Sequence, residues 1–327
     1  MTSITETIKK IETQFGKGLI LNLNKKDEIT EVIPTGSMLL NNILGVGGFP
    51  KGRIIEIFGN ESCGKTTVAL QTVAQCQNLG GKCAYIDLEH ALDINYCKAN
   101  GIDPEKIMIV QPENAEQTFD LIEALIKTGE IDLIVVDSVA ALVPEAELTG
   151  EFSDQTIGLH ARIMSKGLRI IQSLLTKDST SVIFINQIRE KVGVMYGNNE
   201  TTTGGRALRF YASIRLELRK SELIKNGDEV IGIRISAKTV KNKLAPPLQK
   251  AFVDIYFDKG FDHTSEIIDF ALEKGVIEKK GSWFYFDDEK IGQGKDITKK
   301  HLLENPELFS RIKERALTTN SVQTPID

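Results

Sequence analysis

A glycine-rich motif, GNESCGKT at residues 59–66, restricts what this chain can fold into more than any other feature. It matches the pattern G-x-x-x-x-G-K-[ST], in which backbone N–H groups surround phosphate oxygens. Such a loop needs a strand before it and a helix N-terminus after it. Residues 54–58 are mostly apolar and residues 67–79 have a helical composition, so both neighbours are present. The chain is therefore predicted to form an α/β sheet that binds a nucleotide at the end of a strand.

Short apolar runs alternate with segments of helical length from residue 53 onward. The runs are residues 54–58, 83–87, 133–137 and 182–186, and the helical segments are residues 67–79, 91–100, 115–127 and 158–176. Continuous apolar runs are typical of strands buried on both faces, and this rhythm predicts a mostly parallel sheet covered by helices. Polar and apolar residues alternate over 212–219, 230–240 and 252–257, which predicts antiparallel strands that extend the sheet.

The same patterns divide the 327 residues into three predicted parts. Residues 1–30 contain an amphipathic helix over 1–18, which is too short to bury its apolar stripe alone and must dock on its own core or on another chain. Residues 31–260, which contain the phosphate-binding loop (P-loop) at residues 59–66, are predicted to form an ATPase core. Residues 261–327, with aromatic residues at 283–286, form a small C-terminal α/β domain.

Composition excludes several classes of protein. Hydrophobic residues make up 41% and charged residues 26%, as in globular proteins and unlike disordered chains or rods. No apolar run approaches the roughly 18 residues that span a bilayer, and no signal peptide is evident, so we expect no membrane partner. The four cysteines are scattered, which argues against a zinc site and fits a reducing cytoplasm. The net charge is −5, yet residues 162–211 hold eight basic and three acidic residues, which indicates a local polyanion site.

The motif indicates ATP and Mg²⁺ as ligands. Lys65 is placed to reach the β- and γ-phosphates, and the Thr66 hydroxyl to join the Mg²⁺ shell. Asp137 ends the apolar run 133–137 and supplies the second metal-side oxygen that such a site needs. The predicted nucleotide contacts in the loop are Gly59, Glu61, Ser62, Cys63, Gly64, Lys65, Thr66 and Thr67. Because a thiol at a helix N-terminus can have a lowered pKa, Cys63 is also a hypothetical oxidation-sensitive group.

Two further strand ends carry polar groups suited to hydrolysis. Glu89 follows the run 83–87 and would face the γ-phosphate, where a carboxylate can activate water. Gln187 follows the run 182–186 and could hydrogen-bond the γ-phosphate. An ordinary loop carboxylate and an ordinary strand-end amide explain these two residues equally well.

A row of polar and basic residues, Arg162, Ser165, Lys166 and Arg169, lies on one face of the predicted helix 158–176. Leu159, Ile163, Ile170 and Leu174 are predicted to form its core face. Two glycine-bearing polar segments flank this helix and the next strand: the first polar segment, residues 147–158, and the second polar segment, residues 188–205, which includes Arg189 and Lys191. Long loops of this kind are usually functional, and the composition suits contacts to the backbone of single-stranded DNA. A lid over the nucleotide is the alternative.

Several motifs resemble the bacterial RecA family of homologous-recombination ATPases. They are residues 59–67 (GNESCGKTT), 86–93 (IDLEHALD), 134–142 (IVVDSVAAL), 184–189 (FINQIR), 201–205 (TTTGG) and 240–243 (VKNK). The resemblance extends in order from residues 11–18 to residues 290–294, close to the full chain.

The resemblance implies roles for matching positions. Glu89 would activate water, Asp137 would lie on the Mg²⁺ side, and Gln187 would sense the γ-phosphate. Asp93 and Tyr96 would contact adenine, whereas Lys241 and Lys243 would reach the γ-phosphate of the adjacent subunit. The N-terminal helix would pack on the next protomer. The matching DNA-phosphate contacts are Arg162, Ser165, Arg169, Gly204, Gly205 and Arg206, of which Arg206 replaces an expected Asn.

The resemblance further implies an ATPase that forms filaments on single-stranded DNA and exchanges strands with homologous double-stranded DNA. Such a protein serves DNA repair and the SOS response, where it can also act on a self-cleaving repressor as a co-protease. A ring-forming helicase or motor on the same ATPase core is one alternative. A non-enzymatic DNA scaffold for repressor cleavage is another.

Overall fold

The computed structural model describes residues 4–15, 30–151, 158–190 and 200–319. Its helices are α1 (Ile4–Phe15), α2 (Met38–Leu44), α3 (Lys65–Asn78), α4 (Ile94–Ala99), α5 (Ala115–Lys127), α6 (Glu145–Thr149), α7 (Leu159–Leu175), α8 (Ala207–Tyr211), α9 (His263–Glu273), α10 (Lys295–Glu304) and α11 (Pro306–Thr318). Its strands are β1 (Val32–Ile33), β2 (Phe49–Pro50), β3 (Ile54–Gly59), β4 (Cys83–Asp87), β5 (Ile107–Val110), β6 (Leu133–Asp137), β7 (Ser181–Glu190), β8 (Glu200–Thr202), β9 (Ile214–Asn226), β10 (Glu229–Asn242), β11 (Lys250–Tyr256), β12 (Gly260–Phe261), β13 (Glu278–Lys280), β14 (Trp283–Phe286) and β15 (Glu289–Gln293).

Ten of these strands form one large sheet. Nine lie in the order β12-β11-β10-β9-β3-β7-β6-β4-β5, and β8 pairs with β7 outside that path. The pairs from β9 across to β5 are parallel, whereas β9 to β12 and the β7–β8 pair are antiparallel. The predicted mostly parallel sheet with antiparallel strands on one side is therefore confirmed. Because parallel strands point the same way, the carboxyl ends of β3, β4, β6 and β7 lie at one edge.

The sheet is buried on both faces, as the continuous apolar runs predict. In β3, Ile54 packs into one hydrophobic cluster, and Ile55 and Ile57 pack into the cluster on the opposite face. Alternate side chains of a strand point to opposite faces, so a strand covered on both sides must be apolar at successive positions.

The bounds of several elements agree with the sequence patterns, and α5 agrees at both ends. The helix predicted over 91–100 is shorter, because Asp93 caps α4 by accepting a hydrogen bond from the Asn95 N–H. Strand β5 and helix α2 have no predicted counterpart. Four and seven residues respectively give too few positions to define a period.

Helix α7 differs from the prediction in the face that it buries. Its buried side chains include Met164, Leu168, Ile171 and Leu175. The predicted core residues Leu159, Ile163, Ile170 and Leu174 are only partly buried. Ile163 and Leu174 pack against the edge of the hydrophobic cluster that contains Met164 and Leu168, and α7 contacts α5 and α8.

Helix α1 belongs to a separate unit, residues 1–31, and none of the residues of the helix is buried. Ile4 and Phe15 at its two ends are 81% and 63% exposed. None of the helices in the described ranges is both long enough and apolar enough to cross a membrane.

The C-terminal part contains α9, α10 and α11 together with a small antiparallel sheet in the order β13-β14-β15. The aromatic residues at 283–286 form β14, with Phe284 and Phe286 buried in the core. Helix α9 contacts α2 and β11 of the large sheet. At this contact Ser37 donates a hydrogen bond from its hydroxyl to the buried carboxylate of Glu266. Burial raises the pKa of Glu266 to about 7.

This raised pKa makes stability depend on pH. The stabilisation from protonated Glu266 is fully present below about pH 4.5, the pKa of an unfolded glutamate, and is lost as pH rises through about 7. The glutamine in Glu266→Gln cannot ionise. The free energy of unfolding of this variant should therefore rise relative to that of the wild type between pH 5 and 8, by at most about 3 kcal/mol. Urea unfolding across this range measures the difference. Glu273→Gln, on the exposed side of α9, is the control and should show no such gain; a parallel pH profile for wild type and Glu266→Gln would contradict the prediction.

Candidate functional site

The P-loop connects β3 to α3 at the carboxyl edge of the sheet. Gly64 has a φ of +82°, which a residue with a side chain rarely adopts, and a Cβ there would lie 2.4 Å from Ile255 Cδ1. Lys65 begins α3, and its ammonium donates to the Asn60 carbonyl oxygen at 2.6 Å. The lysine is thus folded back over the loop, with its charge at the helix N-terminus where an anion is stabilised.

Two oxygen ligands suited to a metal lie beside the loop. The Thr66 hydroxyl donates to Asp137 Oδ2 at 2.8 Å, and the Tyr85 hydroxyl donates to the same oxygen at 2.7 Å. Burial raises the pKa of Asp137, while these two hydrogen bonds lower it. A hydroxyl and a carboxylate beside a phosphate loop are the hard oxygen ligands that Mg²⁺ takes, so these residues fit the ion.

Glu89 lies past the end of β4 and is held from two sides. The Ser138 hydroxyl donates to Glu89 Oε1 at 2.6 Å, and Gln187 Nε2 lies 3.5 Å from the same oxygen. Ser138 follows β6 and Gln187 lies in β7, so three strands contribute to this contact. The carboxylate and the amide named by the sequence patterns therefore lie together at the sheet edge.

On another side of the P-loop, Tyr96 in α4 contacts the helix that follows the loop. The Tyr96 hydroxyl and Thr67 Oγ1 are 2.7 Å apart and share a hydrogen bond. Asp93 is exposed and uses its side chain to cap α4. These contacts place Asp93 and Tyr96 near the start of α3.

The structure contradicts the hypothesis of a reactive thiol in the loop. Cys63 is buried, with 1% of its surface exposed. Burial raises the pKa of Cys63, although the nearby Lys65 charge lowers it. A buried protonated thiol is poorly reactive, because the thiolate is the nucleophile.

Lys241 lies near the end of β10 and Lys243 just beyond that strand. The Lys241 ammonium donates to the carbonyl oxygens of Arg209 and Phe210, at 2.7 and 3.0 Å, at the end of α8. Burial lowers the pKa of Lys241, as do the nearby charges of Lys243 and Arg215. The side chain of Lys243 is exposed.

The described DNA candidates lie around α7 and the second polar segment. Arg162, Lys166 and Arg169 are exposed, and Ser165 donates its hydroxyl to the Ala161 carbonyl oxygen at 2.8 Å. Arg189 in β7 and Arg206 before α8 are also exposed. Gly204 has a φ of +77°, and a Cβ there would lie 3.1 Å from Val139 Cγ1. Lys191 lies outside the described residues.

Comparison with known proteins identifies the family. Sequence models of the RecA N-terminal domain and the RecA C-terminal domain match residues 2–262 and 265–319. The chain belongs to the RecA family. It is 54% identical to Protein RecA of Malacoplasma penetrans, over 96% of this chain and 97% of that protein. It is 50% identical to Protein RecA of Thermus aquaticus, over 96% and 93% respectively.

The activity of the chain follows from its membership of the RecA family. It is a DNA recombinase with DNA-dependent ATPase activity that uses ATP with Mg²⁺. It forms filaments on single-stranded DNA and pairs them with double-stranded DNA, and the helicase alternative is not favoured.

The structure adds two residues that the sequence patterns do not single out, because Tyr85 contacts Asp137 and Ser138 contacts Glu89. It also shows that Asn186, the strand-end polar residue before Gln187, makes four hydrogen bonds. A tyrosine inside an apolar strand and a serine after an aspartate carry no periodic signal. Their place in this RecA-family site depends on which strands are neighbours.

The Tyr85 hydroxyl is expected to support metal binding. Tyr85→Phe removes one of the two donors to Asp137 Oδ2, so the carboxylate is less well oriented and the half-saturating Mg²⁺ concentration for ATPase activity should rise about 10-fold. Thr72→Val removes another buried hydroxyl, which bonds only within α3, and serves as the control. An unchanged Mg²⁺ dependence in Tyr85→Phe would contradict this role.

Proposed function

We propose that the described P-loop edge is the catalytic centre of this RecA-family ATPase, with Glu89 as the group that activates water. One observation carries the proposal: the carboxylate of Glu89 is fixed by Ser138 at 2.6 Å, at the same sheet edge as Lys65 and Asp137. A carboxylate held in this way can accept a proton from a water placed in line with the γ-phosphate.

The remaining nucleotide contacts follow from their positions. Lys65 at the helix N-terminus compensates the charge of the β- and γ-phosphates, and the loop from Gly59 to Thr67 supplies backbone N–H groups. Thr66 and Asp137 would hold Mg²⁺, which supplies charge compensation for the phosphates. Asp93 and Tyr96 would contact the base, and the Tyr96–Thr67 hydrogen bond keeps that side aligned with α3.

Gln187 is proposed to report the γ-phosphate to the DNA side. It lies 3.5 Å from Glu89 Oε1, and β7 continues from it directly into the second polar segment. The described end of this segment packs against the helix that bears Arg162 and Arg169, since a Cβ on Gly205 would lie 3.1 Å from Ala161 Cβ. The exposed basic residues around α7, with Arg189, Lys191 and Arg206, would then contact DNA phosphates.

Lys241 and Lys243 are proposed to act on the nucleotide of an adjacent subunit. Lys241 bonds to α8 of its own chain rather than to its own P-loop. A cation supplied by a neighbour compensates transition-state charge in the manner of an arginine finger. The ATP site would then be complete only between subunits, which supports a filament.

We propose that the chain has three functional parts. Residues 1–30 form an arm that docks on the next subunit, residues 31–260 form the ATPase core, and residues 261–327 form the small C-terminal domain. The apolar stripe of α1, exposed at Ile4 and Phe15, supports an intermolecular role for the arm. A co-protease role toward a self-cleaving repressor stays a prediction.

The catalytic assignment is tested by ATP hydrolysis with and without poly(dT). Wild type should be strongly stimulated by the single strand, whereas Lys65→Ala and Glu89→Gln should lose at least about a hundredfold of the stimulated rate, since each removes charge compensation or water activation. Glu113→Gln, an exposed carboxylate elsewhere in the core, is the control. A Glu89→Gln variant with the wild-type rate would exclude Glu89 as the activating group.

Mixing variants tests whether the lysines act between subunits. Lys241→Ala and Glu89→Gln should each be inactive, but an equal mixture on poly(dT) should recover about a quarter of wild-type activity, because some sites then combine an intact Glu89 with an intact Lys241 from the neighbour.

The control mixture is Lys65→Ala with Glu89→Gln. Both residues belong to the same subunit's half of the site, so no combination of these chains makes an intact site. If the first mixture recovers no more activity than this control, the lysine does not act in trans.

A further inference from the structure

We propose that Asn186 is a positioning residue, whose hydrogen bonds with Thr203 fasten the strand that bears Gln187 to the returning end of the second polar segment. The inference rests on the proposed function, in which Gln187 senses the γ-phosphate and this segment contacts DNA. It assigns the connection between the two to the buried Asn186 and the partly buried Thr203, called here the Asn186–Thr203 pair.

The pair is joined in both directions. Asn186 Nδ2 donates to the Thr203 carbonyl oxygen at 3.1 Å, and the Thr203 hydroxyl donates to Asn186 Oδ1. Asn186 is fully buried, and Thr203 directly precedes Gly204. The hydrogen bonds therefore join β7 to the segment at the point where the segment turns back toward α8.

The amide is also anchored in the middle of the sheet. Asn186 Nδ2 donates to Glu56 Oε1 at 2.9 Å, and the other oxygen of Glu56 accepts from Arg215 Nε. Glu56 lies in β3 and is fully buried, and the Arg215 guanidinium lies 4.4 Å from the centre of the Phe58 ring. Breaking a buried ion pair is costly, so Glu56 and Arg215 form a fixed support.

The hydrogen-bonding capacity of Asn186 is fully used. Its two N–H groups meet a carboxylate and a carbonyl oxygen, and its oxygen accepts from the Thr203 hydroxyl and from the Gln187 backbone N–H at 2.9 Å. A flipped amide would place N–H groups against donors and its oxygen against acceptors. One orientation alone satisfies the group, and a satisfied buried network holds one arrangement.

This arrangement connects a displacement of Gln187 to a displacement of the second polar segment. Movement of the Gln187 backbone toward the γ-phosphate acts on Asn186 Oδ1, which also accepts from Thr203. The segment must then follow or lose a partly buried hydrogen bond. A residue that only filled space at this position would stabilise the fold without linking nucleotide state to the segment.

Two variants of Thr203 separate these roles. Thr203→Val keeps the size but removes the hydroxyl that donates to Asn186, and Thr203→Ser keeps the hydroxyl. Thr180→Val, at the opposite end of the sheet, is the structural control. It removes a hydroxyl whose hydrogen-bond partners are the Ile131 carbonyl oxygen and the Asp178 carboxylate. Melting temperatures establish that each variant is folded.

The first readout is the ATPase stimulation factor at saturating poly(dT). Thr203→Val should lower it by about tenfold and change the KM for ATP by less than about threefold, whereas Thr203→Ser and Thr180→Val should match the wild type. If Thr203 merely touched DNA phosphate, the half-saturating DNA concentration would rise and the maximal factor would not change. That result would overturn the proposal.

The second readout needs no DNA. Hydrogen exchange of residues 200–205 is compared with and without a non-hydrolysable ATP analogue and Mg²⁺. The analogue should change exchange in wild type and Thr203→Ser, and about fivefold less in Thr203→Val. Equal changes in all variants would overturn the pairing role. A wild type that poly(dT) does not stimulate would refute the proposed function instead, while this exchange comparison still decides on the Asn186–Thr203 pair.

Discussion

The parallel pairing of β3 with β7 is the constraint on which the rest of the site depends. Its register places Gly59, the first residue of the P-loop, opposite Gln187, and the β4–β6 register places Asp87 opposite Asp137. Loops that follow these strands therefore open at one edge, where ligands bind in α/β sheets. A shift of one residue would turn each strand-end side chain to the other face and separate the phosphate loop from its partners.

Charged side chains are buried near this edge of the sheet, where apolar packing alone would leave them without compensation. Glu56 is buried between strands and compensated by Arg215, and Asp137 is buried and compensated by hydroxyl donors from Thr66 and Tyr85. Uncompensated charges of this kind cost several kcal/mol, so each is tied to a partner on another element. These partners also fix positions: the hydrogen bonds that make burial tolerable hold the metal-side carboxylate and the Asn186–Thr203 pair in single arrangements.

The phosphate-binding motif, the four central strands and α5 can be predicted from the sequence. Each is specified by a continuous apolar run or a helical period within a short stretch of the chain. It also indicates Glu89 and Gln187 as strand-end groups, although an ordinary strand end explains both equally well until the strand order brings them within 3.5 Å. The order of β3, β7, β6 and β4 differs from their order in the chain, so contacts such as Ser138 with Glu89 have no local signal. The prediction of the buried face of α7 is wrong for the same reason, because the neighbouring helices determine which face of α7 is buried. Cys63 shows the converse, because a helix N-terminus favours the thiolate but burial has the larger effect.

The contacts of Lys241 give a physical reason for the proposed coupling between subunits. Its ammonium lies at the carboxyl end of α8, where carbonyl oxygens stabilise a cation. Under the proposed contact in trans, the same ammonium must leave these oxygens for a neighbour's γ-phosphate, whose negative charge is a stronger acceptor than two neutral carbonyls. ADP lacks that group, so the exchange is favourable with ATP. Since α8 follows Gly204 and Gly205, one nucleotide then acts on the second polar segments of two subunits: at the start of the segment in its own subunit through Gln187, and at the end of the segment in the next subunit through Lys241.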